Sequence, residues 1–207
     1  MEIFLKAKPW QIFVLTVALP LILALLTVPV AIVSNHHLKT MKIFVITIIL
    51  LFYGGYLTWL WTVVAGLQPK ISKGINLENL LFNIFMFIQF TFMLITIRLI
   101  IFICKVIKSM FEFFQYLFGG SAVADPSSGL IDGLLLTFVP LFWISFFCTL
   151  YCFYFAAKTI RSAELQKPIK FSDFVWEIFL IVFFPVGIWL IQPKINKMAE
   201  KTNHNGT

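Results

Sequence analysis

Charge is scarce in this sequence. Asp, Glu, Lys and Arg make up 12% of the 207 residues, about half of the ~25% found in soluble domains. So few polar groups could not coat a globule of this size, which excludes a water-soluble fold. Acid is the rarer sign, with nine carboxylates against sixteen Lys and Arg, so the acidic composition of a disordered, solvating chain is also absent. Three cysteines cannot staple a small secreted module. The sequence has no GxxxxGKS/T phosphate loop, HExxH zinc helix, GxSxG elbow or GxGxxG turn. Each of those chemistries needs its own backbone geometry, so no catalytic residue, cofactor or metal is assigned.

What is present is apolar. Hydrophobic residues are 60% of the chain and mean hydropathy is +0.96. A spanning helix needs about 20 predominantly apolar residues. Four runs meet that length, at about 11–33, 43–65, 78–104 and 130–157. A fifth, at 173–191, is interrupted by Pro185 and Gly187. The expected fold class is therefore all-α: a single polytopic membrane helical bundle over 1–207, with four transmembrane helices plus a fifth Pro-interrupted one, either re-entrant or kinked.

Lys6 and Lys8 before the first run resemble the start of a signal peptide. The run exceeds the ~7–15 residues of a signal core and lacks a small-x-small cleavage site, so it reads as a retained span. Gly54-Gly55 in the second run would let a neighbouring backbone approach, and Asn76 is placed to cap the third. From 105 to 118, where the third helix can continue, Lys105, Lys108, Glu112 and Gln115 share one helical face opposite an apolar one, the pattern of a helix lying in the interface or leaving it at a shallow angle. Residues 119–129 read as a flexible loop, and the tail from Gln192 is polar and expected to fray. Pro20, Pro29, Pro140 and Pro185 each withhold an N–H, so the carbonyls of Thr16, Leu25, Leu136 and Ile181 need other partners.

The basic residues fall between the apolar runs, where anionic headgroups are the natural partner, not nucleic acid. If the last run crosses fully, Lys and Arg divide eight against seven between the two sides. If it turns back at Pro185-Val186-Gly187, they divide eleven against four, with Arg98 inside the membrane. Orientation follows such asymmetry, which favours the return and a cytoplasmic N-terminus. Against it stands the cost of re-entrant backbone, which must be buried in protein.

Five polar residues inside the runs are candidate sites. Arg98 lies among Ile95, Ile97, Leu99 and Ile100, where a guanidinium costs about 2–3 kcal/mol unless it is paired or snorkels. Asp132 opens the fourth run at the same membrane face, as an ion-pair partner or as a helix N-terminal carboxylate. Glu177 could bind a proton or cation if it faces the bundle, or anchor at the interface against Lys170 or Lys158. Asn83 and Gln89 suit interhelical hydrogen bonding better than substrate binding. Cys148 and Cys152 share a helical face without a third ligand and behave as small hydrophobes. His36-His37 reads as a solvated loop pair.

The segments KAKPWQIF (6–13), WLWTV (59–63) and above all AAKTIRSAELQKPIKFSDFVWEIFLIVFFPVGIWLIQPKIN (156–196) resemble a family of small bacterial multi-pass inner-membrane proteins with no assigned function. That resemblance implies a bacterial inner-membrane location and brings no ligand residues. Three functions stay open: a structural or interaction subunit of a membrane assembly, with a membrane-protein partner or a second copy; a small ion or solute transporter or channel using the five polar residues; and, least favoured, a membrane-embedded enzyme.

Overall fold

The computed structural model describes residues 4–5, 7–33, 37–71, 79–119 and 128–204; the side chains of 28, 31–33, 37–38, 70, 107–119, 128–137 and 200–204 lie outside that description. No strand occurs among the described residues. Helix α1 (Pro9–Phe13) passes through a π turn (Val14–Ala18) into α2 (Leu19–Val33). Helix α3 (His37–Ile49) passes through a second π turn (Leu50–Gly54) into α4 (Gly55–Leu67). Then follow α5 (Asn79–Gly119), α6 (Ser128–Leu165), α7 (Val175–Val182) and α8 (Phe184–His204). Among the described residues, four stretches are long and apolar enough to cross a membrane: Pro9–Thr27, Lys39–Leu67, Asn79–Val106 and Phe138–Leu165. The protein is an all-α helical bundle of multi-pass membrane type.

The sequence did not mark the π turns. The first lies just before Pro20, whose missing N–H already breaks the helical ladder; there the Leu19 N–H reaches back to the Val14 carbonyl, absorbing one extra residue. Around Gly54-Gly55 the close neighbours are side chains rather than backbone. A Cβ on Gly54 would meet the Met93 sulfur at 3.5 Å, and one on Gly55 the Thr16 methyl at 3.0 Å. The amphipathic stretch 105–118 continues α5 without a break to Gly119. Asn76, His36 and positions 120–127 of the expected loop lie outside the described residues, as do the side chains of His37 and Asp132.

The fifth apolar run turns back on itself. Helix α7 stops at Val182, Phe183 leaves helical geometry (φ −87°, ψ 48°), and α8 returns antiparallel, so that Lys194 on α8 reaches Glu177 on α7. The turn brings two backbones into contact: a Cβ on Gly187 would lie 1.7 Å from the Leu180 carbonyl oxygen. The Ile181 carbonyl, deprived of a donor by Pro185, accepts the Tyr56 hydroxyl at 3.1 Å. Nor does the chain fray at Gln192. Phe184, Ile188, Ile191, Gln192, Ile195 and Ala199 form one buried stripe along α8 at helical spacing.

This hairpin completes the core. Trp59, Leu60, Val63 and Leu67 of α4 pack with Phe82 and Met86 of α5, Phe155, Ala156 and Ile160 of α6, and the buried stripe of α8. Phe184 meets Tyr56 and Trp59 edge-on at 4.6 and 5.0 Å. The N-terminal segment closes the same end, with Leu5 lying where a side chain on Gly66 would go. The core thus sits toward the end of the bundle where the N-terminal segment, the α6–α7 connector and α8 gather, while the other half presents large apolar side chains outward.

Candidate functional site

Among the described residues, three polar clusters are built into the bundle. The first is midway along the spans, where Gln89 of α5 is fully buried. Its side-chain oxygen accepts the Tyr53 hydroxyl at 2.6 Å and the Ser145 hydroxyl at 3.0 Å. Its amide nitrogen donates to the Ser145 carbonyl at 2.6 Å. One amide therefore ties the second, third and fourth spans together. Hydrogen bonds of this kind contribute about 0.6 kcal/mol each on average in a bilayer, so the cluster supplies register more than raw stability.

The second cluster centres on Gln192, also fully buried. Its oxygen accepts the Trp59 indole N–H at 3.0 Å. Its nitrogen donates to the Phe4 and Ala7 carbonyls at 2.8 and 3.2 Å and to the Asn196 side-chain oxygen at 3.0 Å. The Asn196 amide adds a second bond to the Ala7 carbonyl. The Phe4 and Ala7 carbonyls lie ahead of α1, and α8 supplies their donors.

The third cluster is charged. Helix α6 ends where Gln166 takes a left-handed conformation (φ 53°), a C-terminal cap whose N–H bonds the Ser162 carbonyl. Arg161, one turn earlier, pairs with Glu164 at 2.6 Å and lies 3.9 Å from Glu177. Lys194 lies 3.5 Å from Glu177 and 3.8 Å from Glu164. Glu177 is 2% exposed, and it is matched by cations from two elements. Among the described residues, its second oxygen, the Arg161 Nε and the Ser162 hydroxyl have no hydrogen-bond partner.

The four sequence candidates whose side chains are described do not come together. Gln89 and Glu177 are buried in separate clusters. Arg98 and Asn83 face outward on α5, and the side chain of Asp132 lies outside the described residues. The proposed Glu177 partners are replaced: Lys158 lies over the Tyr154 ring at 5.9 Å and Lys170 is exposed, so Arg161 and Lys194 do that work. Sequence reasoning passed over Trp59, Tyr53, Ser145, Arg161, Lys194 and Gln192. A helical wheel drawn through 184–199 would have found Gln192 in an otherwise apolar stripe. No group of three or more His, Cys, Asp or Glu is placed to hold a metal among the described residues. The chain matches no protein-family model, no curated protein and no solved structure.

Proposed function

We propose that the chain is a structural or interaction subunit of a bacterial inner-membrane assembly, with its N-terminal face in the cytoplasm. The observation that carries the interaction role is an aromatic stripe on α6. Phe142, Trp143, Phe146 and Phe147 are all exposed, and the Trp143 ring lies 5.9–6.2 Å from each of the other three. Rings that brace one another have little freedom left to lose when a partner helix meets them. The transport alternative has less support, because the buried amides are occupied by protein partners and the described polar candidates lie apart. Placing the N-terminal end in the cytoplasm rests on the hairpin. With α8 returning to that end, the Lys and Arg residues divide eleven against four, the asymmetry that orients membrane proteins. The inner-membrane location rests on the family resemblance.

A photoreactive amino acid in place of Trp143, activated in native membranes, is expected to give a discrete protein adduct. Placed at Leu25, an exposed position on α2, it should give only lipid adducts. Lipid adducts alone at both positions would overturn the subunit role. On a background without native cysteines, single cysteines at Lys167 and Lys197 should react with an impermeant thiol reagent only from the cytoplasmic side. One at Lys39 should react only from the opposite side. A cysteine at Lys197 reacting from the same side as one at Lys39 would contradict the return of the hairpin.

A further inference from the structure

A cavity of about 380 Å³ lies between α3, α5 and α6 and the second π turn, walled by Ile49, Phe92, Met93, Phe142 and Phe146. This is the size range of small-molecule and cofactor sites, about 300–1,000 Å³. Its floor is buried, at Met93 and Ser145, whereas Phe142 and Phe146 at its rim are exposed, so the space opens on the bundle surface.

Four hydroxyl-bearing residues complete the lining: Tyr53, Thr96, Ser145 and Thr149. By residue type they suggest a polar chamber. Every one of those hydroxyls is spent as a donor inside the protein. Tyr53 and Ser145 donate to Gln89; Thr96 donates to the Phe92 carbonyl and Thr149 to the Ser145 carbonyl, each at 2.9 Å. A water needs two to four polar partners to settle in a cavity, and an ion needs more. The oxygens keep lone pairs, but the surface that the lining turns to the space is almost wholly carbon, so the space favours neither.

We propose that this cavity is a binding site for one acyl chain of a membrane phospholipid. The cavity is apolar, it opens where the spans meet the bilayer, and phospholipid chains are the hydrocarbon present there at the highest concentration, so mass action favours them. Two features suit a flexible chain. Met93 on the floor is an unbranched, polarizable side chain that adapts to irregular contents. Tyr53 sits in the π turn, a distortion that recurs at functional sites, and that turn carries its ring to the wall while its hydroxyl is held by Gln89. The site shares Phe142 and Phe146 with the aromatic stripe proposed above for a partner, but its test uses the purified chain with no partner present, so it stands or falls without the subunit role.

The test uses the purified full chain in phosphatidylethanolamine–phosphatidylglycerol vesicles. These are doped with a phosphatidylcholine that carries a diazirine midway along one acyl chain. After irradiation, adducts on Met93 and Phe146 are expected to exceed those on the exposed Phe87 and Leu25 at least several-fold. In the variant Thr96→Leu/Thr149→Leu, whose added carbon fills the space, labelling of Met93 and Phe146 should fall to the level of Phe87. Labelling of Met93 and Phe146 no greater than that of Phe87 and Leu25 in the wild-type protein overturns the proposal, whether or not the variant folds. Undiminished labelling in a folded variant overturns it as well.

Discussion

Gly187→Ala should cost the protein about 3 kcal/mol or more, the upper end of what overpacking does, and should open the C-terminal hairpin. The added methyl would sit 1.7 Å from the Leu180 carbonyl oxygen and 2.5 Å from its carbon. Neither atom can rotate out of the way, because both belong to the backbone of α7. The next carbonyl along, that of Ile181, is held by Tyr56, so α7 cannot simply slide. The comparison variant is Gly66→Ala, where the obstruction is the end of the Leu5 side chain, which can change rotamer. Melting in detergent should therefore show a large loss for Gly187→Ala and a smaller one for Gly66→Ala. Limited proteolysis should cut the first variant, not the second, around residues 183–187. A wild-type melt for Gly187→Ala would mean that the two arms do not touch through their backbones.

The spans were legible because a bilayer reads hydropathy along the chain, and that quantity is local. So was the need created by Pro185. A proline withholds one N–H from one known carbonyl, and the Ile181 oxygen does take an outside donor. Which donor it takes was not legible, since Tyr56 is 125 positions away and no local rule links them. Gln192 illustrates the opposite error. Hydropathy falls at this residue, so the tail from there looked solvated and frayed. Its amide faces inward because Trp59, Phe4 and Ala7 offer a donor and two acceptors that would otherwise be unsatisfied. Glu177 failed in a similar way. The nearest lysines along the chain seemed its natural partners, yet the hairpin brings Lys194 back to it and the end of α6 supplies Arg161. The polar chemistry of this bundle is settled by long-range returns of the chain, and hydropathy carries no information about those.

The hairpin is thus closed at its turn by a glycine and at its open end by charge, and the second of these yields an expected non-additivity. Arg161 and Lys194 are partly exposed, with side chains 28% and 38% accessible, whereas the Glu177 side chain is 3% accessible. Losing Lys194 alone leaves Glu177 with Arg161, and losing Arg161 alone leaves it with Lys194. Each single change to leucine should cost about 1 kcal/mol or less, as for pairs that water and salt still reach. Removing both strands a buried carboxylate with no cation, and the cost should rise to about 3 kcal/mol, the lower end for a broken buried pair. The sign follows from which partner is desolvated: the cations can turn to water when Glu177 is neutralised, but Glu177 cannot turn to water when they are gone. Glu177→Gln in the double-leucine background should accordingly recover most of the loss, although the same change in the wild-type protein slightly destabilises it. Melting curves of the two singles, the double and the triple variant complete the cycle. Two additive singles with no recovery by Glu177→Gln would show that these charges merely lie near one another, and that the hairpin is held by its apolar stripe alone.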